Sequence, residues 1–294
     1  MTVCIAALYE TNKNSRGIAF ATDWQDTDLT TGVASQTGLK ITNPAGNVML
    51  LGAGDLPFLG QLAEHLRIKT GYGVLPDVAA VVKDYKELYR GYLNVYLEDN
   101  VLNRHNYSWG EWKQKSEDGS ISSSLIEIVN RELTRAVPPS VDAIIAGIDK
   151  PNTPEARTRL VKITRDPLTG EVHDDDVSHR GHAEIGEGDF IADLEFRKAS
   201  FHRFGSKKRT VFLSYLAKRR AGEVYASVGS NTGLYTLDHE GGMAVGCLEF
   251  KKEFDKIYNA LSKKAFRSGK AAYDKAETIF DRVPFDKTPR QKRR

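Results

Sequence analysis

The residue of this chain best suited to unusual chemistry is the threonine at position 2. Met1 directly precedes Thr2, and Thr2 opens an apolar, strand-like run that continues to Tyr9. Threonine is small enough for a preceding initiator methionine to be removed routinely. Removal would leave the Thr2 hydroxyl beside its own α-amine, so nucleophile and general base would share one residue. The sequence therefore predicts a candidate N-terminal nucleophile.

Such a nucleophile needs a nearby cation, a carboxylate that holds the cation, and backbone N–H groups for a developing oxyanion. The apolar run at 18–21 leads to Asp23, and Lys40 follows at the head of another short strand. The run at 50–55 is an apolar strand that ends in a Gly-rich turn just before a predicted helix. Bare N–H groups at that turn would face a negative charge. The three groups thus occur in order along the chain.

In this order the residues resemble those of proteasome β-type subunits, which belong to the N-terminal-nucleophile (Ntn) hydrolase superfamily. They are similar also to the peptidase subunit of the bacterial two-component ATP-dependent protease. The family's pattern is a terminal Thr, a strand ending in AxDxRAT, a Lys opening the next strand, and an apolar strand ending in GxxxD before a long helix. This chain has Ala21-Thr22-Asp23-Trp24-Gln25-Asp26-Thr27, then Lys40, then Gly52-Ala53-Gly54-Asp55. The resemblance covers residues 1–95 well and 141–250 as topology, but not the 100–136 segment or the C-terminal tail.

The resemblance implies a role for each matching residue. Thr2 would be the nucleophile and its own amine the general base. Lys40 would be its electrostatic partner, and Asp23 would orient Lys40. The backbone N–H groups of Gly52 and Ala53 would form the oxyanion hole. Toward the substrate, Thr27 would hydrogen-bond an extended peptide and Asp26 would lie near the first specificity pocket.

Two departures from the family's pattern concern the groups that orient the terminal amine. Glu187 stands where the family usually has a serine, and its carboxylate would bind the ammonium and raise the pKa of the amine. Gly229 stands where the family has an aspartate, although the following Thr232-Gly233 pair is kept. Thr232 and Glu187 are therefore the candidate amine-orienting residues.

The implied activity is that of a threonine endopeptidase, a hydrolase that cleaves peptides or unfolded proteins by acyl transfer without a cofactor or metal. The family implies a homo-oligomer, in a ring or related assembly, and an ATPase unfoldase as partner. Three alternatives stay open: a peptide ligase, a small-molecule amidase with the same nucleophile, and a catalytically dead structural subunit. Taken singly, Asp23 and Lys40 would also fit a surface ion pair, and Gly52 and Gly54 a simple strand end.

Composition excludes several other classes. The chain of 294 residues is 40% hydrophobic and 28% charged, with a net charge of +3, which is too small to predict nucleic acid as a partner. Cys4 and Cys247 lie in apolar runs and are expected to be buried, reduced thiols. We expect neither a signal peptide nor a membrane span, and therefore a cytoplasmic protein. The basic end at 292–294 is expected to be a solvated tail.

The order of elements predicts an α+β fold, in which two antiparallel sheets are covered by helices on both outer faces, an αββα sandwich. Periodicity alone would also allow a one-sided α+β fold. We expect an Ntn-type domain over 1–250, with a polar insertion at about 100–136, and a C-terminal helix and basic tail over 251–294. The predicted final elements are strands at 233–237 and 243–250 and one helix from Lys252 to about Phe280.

Two further patterns allow alternative interpretations. The stretch 173–182 contains three His and three Asp. Its spacing matches no common zinc pattern, so a solvated hairpin turn is favoured over a metal site. Trp109 and Trp112, in the insertion, would suit either a partner surface or packing within the insertion.

Overall fold

A computed structural model describes most of the chain. The described residues are 2–12, 15–23, 26–27, 34–35, 40–71, 75–166, 170–229, 231–240, 242–246, 248–263, 269–283 and 286–287. Within them the fold is mixed α+β, and every strand pairing is antiparallel.

Three sheets occur in the described residues: one of six strands, one of five, and a small one of two. The strands are β1 Val3–Asn12, β2 Ser15–Asp23, β3 Asp26–Thr27, β4 Ala34–Ser35, β5 Ile41–Ala45, β6 Val48–Gly54, β7 Val141–Asp149, β8 Arg157–Arg165, β9 Val172–Asp176, β10 His182–Gly186, β11 Thr232–Asp238, β12 Met243–Val245 and β13 Asp286–Lys287. In the six-stranded sheet the order is β10-β1-β2-β11-β12-β13, and in the five-stranded sheet β5-β6-β7-β8-β9, while β3 pairs with β4.

Eight α-helices connect these strands in the described residues. They are α1 Leu56–Thr70, α2 Val78–Asn100, α3 Trp109–Glu117, α4 Ser123–Arg135, α5 Asp189–Lys198, α6 Lys207–Val224, α7 Leu248–Ser262 and α8 Gly269–Arg282. Asp55 caps α1 by accepting a hydrogen bond from the N–H of Phe58 at 2.8 Å, as its position before the periodic run predicts.

The alternation of side chains along each strand divides the core into separate clusters. Val3 and Ile5 of β1 pack with α5–α8 in one cluster. Cys4 and Ala6, on the opposite face of β1, pack against residues of the five-stranded sheet such as Leu51 in a second. The outer face of that sheet packs on α1 and α2 in a third. Helices therefore cover both sheets, and the one-sided arrangement is wrong.

The segment predicted as an insertion has a small core of its own. Val101, Leu102, Trp112, Ile121 and Val129 are buried together. Trp109 packs against this cluster and is partly buried. The packing interpretation of the two tryptophans therefore holds for Trp112.

The C-terminal part of the domain departs from the prediction. The predicted strand at 243–250 ends at Val245, and Phe250 lies in α7 instead. The predicted single helix from Lys252 is two helices, α7 and α8, whose buried residues join the core beside α6. The helical period of Phe250, Phe254 and Ile257 prevails over the β-propensity of the preceding residues. The proposed boundary at residue 250 thus falls inside α7.

Other predictions have mixed outcomes. Cys4 is fully buried, as predicted. Cys247 and the basic end at 292–294 lie outside the described residues. No helix in the described part of the chain combines the length and apolar character needed to cross a membrane.

Candidate functional site

Thr2 lies at the head of β1 and is almost fully buried, with 3% of its surface exposed. The turn that follows β10 encloses its backbone: Gly186 pairs with Val3, and the Gly188 N–H lies 3.5 Å from the Thr2 carbonyl oxygen. Gly186 has a φ of +92°, and a side chain there would overlap the Thr2 carbonyl. Glycine is required at 186 for both reasons. The fold therefore fixes the backbone of Thr2 tightly.

Asp23 and Lys40 form a buried ion pair between the two large sheets. Asp23 ends β2, and Lys40 immediately precedes β5 of the other sheet. The ammonium lies 3.2 Å from each carboxylate oxygen, and the two side chains are 0% and 2% exposed. The alternative of a surface pair is therefore wrong. An ion pair this deep is retained only with good geometry and further hydrogen bonds.

The Asp23 carboxylate has those further hydrogen bonds. The Thr2 hydroxyl donates to Oδ1, and the Val3 N–H lies 3.3 Å from the same oxygen. The Gly229 N–H donates to Oδ2 at 3.1 Å. Asp23 is thus bonded directly to the hydroxyl of Thr2, beyond its predicted role of orienting Lys40. Thr2, Asp23 and Lys40 form one continuous buried cluster.

Cys4 lies beside this cluster, but its thiol is unreactive. Burial, and next to it the charge of Asp23, raises the pKa of its thiol to about 12. The thiol donates to the Gly52 carbonyl at 3.4 Å. At neutral pH it is therefore protonated, and does not compete with Thr2 as a nucleophile.

The predicted oxyanion turn is near the site, but one of its amides is occupied. The Gly52 N–H donates to the Lys40 carbonyl at 3.0 Å, so it is not bare as expected. A side chain at Gly52 would overlap Leu59 of α1, and Gly54 adopts a φ of +123°. Both glycines thus have structural reasons to be present. Ala53 is buried and pairs with Asp142 of β7, and an oxyanion role for this turn stays a prediction.

The predicted substrate-binding residues are described in backbone only. Asp26 and Thr27 form β3, which pairs with Ala34 and Ser35 of β4. Their side chains lie outside the described structure. Their predicted roles toward a peptide therefore stay predictions.

The two candidate amine-orienting residues differ in their surroundings. The Glu187 carboxylate accepts a hydrogen bond from the Ser227 hydroxyl. Thr232 pairs with Asp23 across β11 and β2, and is 7% exposed. Its hydroxyl has no hydrogen-bond partner within the described ranges. A buried hydroxyl without a partner is costly, so Thr232 offers an unused polar group beside Asp23.

Sequence reasoning missed the contribution of the segment between α6 and β11. Gly229 was flagged as lacking the family's aspartate, yet its backbone N–H binds Asp23. Lys218 of α6 contacts this segment and is fully buried. In the sequence Lys218 opens the basic run Lys218-Arg219-Arg220 directly after the apolar stretch at 211–217, so its residue type gave no signal of burial.

The stretch with three histidines is divided between two environments. Residues 173–176 are exposed, as predicted, but lie in the strand β9, and a turn follows at 178–180. His182 is buried on β10, so the predicted solvated turn is wrong for His182. His182, Glu184 and Asp193 lie close enough to offer three ligand atoms to a metal. However, His182 binds Glu184 at 2.5 Å, and Asp193 is paired with Arg180 at 2.8 Å and Arg197 at 2.6 Å. Two guanidinium groups beside the carboxylate oppose a cation there.

The cluster around Thr2 contains a hydroxyl, a carboxylate and an ammonium in a site withdrawn from water. Electrostatic interactions are stronger in such a place than in solution. It can hold the hydroxyl in one orientation and stabilise a change of charge at Thr2. Comparison of the sequence with protein-family models and with curated proteins gave no match for this chain.

Proposed function

We propose that the protein is a threonine-type hydrolase of the N-terminal-nucleophile kind, which cleaves peptide bonds with Thr2. The observation that carries the proposal is the buried contact of Thr2 with Asp23, itself paired with Lys40 at 3.2 Å. The packing of two antiparallel sheets between helices supports an αββα arrangement of the Ntn type. The proposal requires that Thr2 carry a free amine in the mature protein.

The reaction begins with attack of Thr2 Oγ1 on the carbonyl carbon of a peptide. The hydroxyl proton passes to the α-amine of Thr2, while a C–O bond forms and the carbonyl oxygen becomes an oxyanion. The C–N bond then breaks, and the leaving amine takes the proton from the ammonium. Water attacks the resulting ester in the same way, which releases the acid and restores the hydroxyl. No cofactor or metal takes part in this sequence.

Lys40 and Asp23 have distinct parts in this scheme. A positive charge near the terminal amine disfavours its protonated form, so Lys40 lowers the pKa of the amine and keeps it basic at neutral pH. Asp23 holds Lys40 and accepts the hydrogen bond of the Thr2 hydroxyl before attack. The oxyanion hole is assigned to the turn at Gly52 and Ala53, and Thr232 and Glu187 to the terminal amine.

The proposed substrates are peptides or unfolded proteins, bound along Asp26 and Thr27. A homo-oligomeric assembly, an ATPase unfoldase partner and a cytoplasmic location belong to the same proposal, and their support is the resemblance of the sequence. A peptide ligase or a small-molecule amidase would use the same acyl-enzyme with a different acceptor or substrate. A dead structural subunit would keep the fold without turnover.

Cleavage of an unstructured polypeptide by three forms of the protein tests the proposal. New amino termini are counted for the wild type, Thr2→Ala and Thr2→Ser. The wild type should cleave, Thr2→Ser should retain part of the rate because it keeps a hydroxyl, and Thr2→Ala should be inactive. Equal rates in the wild type and Thr2→Ala would reject Thr2 as the nucleophile.

The same reaction run with an added peptide amine separates hydrolysis from ligation. Mass spectrometry of the products should find free acids as the main species. Products joined to the added amine, at the expense of free acid, would favour a ligase. Cleavage of small amides but not of polypeptides would favour an amidase.

A further inference from the structure

Lys218 is a fully buried lysine in the middle of α6, close to the Thr2 cluster. Its ammonium donates to the carbonyl oxygens of Gly229 and Asn231, the latter at 2.8 Å. Within the described ranges, no carboxylate lies within ion-pair distance of this ammonium. Its hydrogen-bond partners are backbone carbonyls of the segment that connects α6 to β11.

Burying an ammonium without a paired carboxylate is expensive, and a methionine of similar length would pack there at lower cost. The stability of α6 therefore does not explain the lysine. An ammonium offers three N–H donors, and two of them reach the carbonyl oxygens of Gly229 and Asn231. Lys218 therefore stabilises the segment that connects α6 to β11 and not the helix itself.

Gly229 links Lys218 to the candidate nucleophile. Its carbonyl accepts from Lys218, while its own N–H donates to Oδ2 of Asp23 at 3.1 Å. Asp23 in turn accepts the hydroxyl of Thr2. Since Gly229 is held from both sides, the position of its N–H depends on Lys218.

We infer that Lys218 is a positioning residue of the Thr2 site: its ammonium fixes the Gly229 backbone so that the Gly229 N–H holds Asp23 in place for Thr2. This inference rests on the proposed function, because it takes Thr2 as the reacting group. It adds a second cationic side chain to a site in which the sequence predicted only Lys40.

The charges around Lys218 are consistent with this position. Burial lowers the pKa of Lys218 to about 7, and the negative charge of Asp23 opposes this shift. The cations of Arg219 and Lys40 also lower it, and Asp255 of α7 raises it. A neutral amine still has two N–H bonds, enough for both carbonyls. The hydrogen bonds to the Gly229 segment are therefore kept on both sides of neutrality.

Three variants separate positioning from general stability. Lys218→Met removes the donors at similar volume, and Lys218→Arg restores a cation with several N–H groups. Lys208→Met is the matched control, since Lys208 lies on the same helix but is only partly buried and pairs with the exposed Asp281. We expect it to behave as the wild type.

The first measurement is amide hydrogen exchange, which does not depend on activity. In Lys218→Met the Gly229 amide should exchange at least about tenfold faster, while amides of the central strand β7 keep their wild-type rates. Unchanged exchange at Gly229 would overturn the inference. A uniform loss of protection that includes β7 would also count against it, because it indicates a general structural role.

The second measurement is the rate at which a peptide β-lactone acylates Thr2, followed by intact mass. We expect a loss of about tenfold to a hundredfold in Lys218→Met, as for other small displacements of reacting groups, and partial recovery in Lys218→Arg. If the wild type is labelled at Thr2 and Lys218→Met is labelled at the same rate, the inference is rejected but the proposed function stands. Equal loss in Lys218→Met and Lys218→Arg would likewise reject the inference, because restored N–H donors would then not restore the rate. If the wild type is not labelled at Thr2, the proposed function fails, and the inference fails with it.

Discussion

The carboxylate of Asp23 lies 3.2 Å from the ammonium of Lys40, although their nearest strands, β2 and β5, belong to different sheets. Asp23 ends a strand of the six-stranded sheet, and Lys40 leads into the five-stranded one. The pair therefore joins the two halves of the core at the point where Thr2 also lies. Loss of this ion pair is expected to lower the free energy of unfolding and to disturb the Thr2 site.

Removing Lys40 should destabilise the protein strongly. Lys40→Met leaves the Asp23 carboxylate buried without its cation, so we expect the free energy of unfolding to fall by about 3–5 kcal/mol. Denaturant unfolding measures the change. Lys150→Met is the control, because Lys150 and its partner Glu155 are 58% and 71% exposed, and should cost less than about 1 kcal/mol. A loss as small as the control's would contradict the interpretation of a tightly buried pair.

Substituting Gly186 should disturb Thr2 directly. Gly186→Ala adds a side chain that overlaps the Thr2 carbonyl and forces alanine into a φ of +92°. We expect a loss of about 1–3 kcal/mol, measured by thermal or denaturant unfolding. Gly91 lies within α2 with no atom in reach of an added methyl group, so Gly91→Ala should stabilise by about 0.5–1 kcal/mol. If Gly186→Ala were more stable than Gly91→Ala, the backbone at Thr2 would be less constrained than described.

Cys4 should resist alkylation in the folded protein. Its pKa of about 12 and complete burial leave almost no accessible thiolate at neutral pH. The test uses Cys247→Ser, in which Cys4 is the remaining thiol, treated with iodoacetamide before and after denaturation. Modification should occur only after denaturation. Rapid alkylation of the native protein would place Cys4 in an open, reactive environment.

The contribution of Lys218 to stability should increase with pH. Its pKa is about 7 in the folded protein against an ordinary 10.5, so the unfolded chain binds more protons between these values. The stability contribution of Lys218 is therefore fully present above pH 10.5 and is lost as pH falls through about 7. The free energy of unfolding of the wild type should therefore increase relative to that of Lys218→Met as pH rises across this window. Denaturant titrations at intervals through the window measure it, and a difference independent of pH would contradict the lowered pKa.

Local patterns in the sequence were enough to predict much of the fold. The start of α1 is read from the capping residue Asp55 and the apolar spacing after it. The apolar runs of β1, β2 and β6 were equally visible, because strands buried on both faces are continuously apolar. The order of Thr2, Asp23 and Lys40 along the chain, together with its resemblance to proteasome β-type subunits, predicted that they meet.

The rest depended on tertiary contacts that local patterns do not contain. The Gly52 amide looked bare in the sequence, but the Lys40 carbonyl accepts from it. The link from Lys218 through Gly229 joins a helix and a connecting segment by backbone groups, which carry no side-chain signature. The end of β12 was missed because residues 243–250 are apolar enough for either a strand or a helix.

The central claim, that Thr2 acts through its own amine, is tested most directly by the intact mass of the purified protein. The account predicts a mass lower than that of the full sequence by one methionine residue, with Thr2 as the first residue. Retention of Met1 in the mature protein would contradict the account, because the nitrogen of Thr2 would then be a peptide amide, which cannot act as a general base.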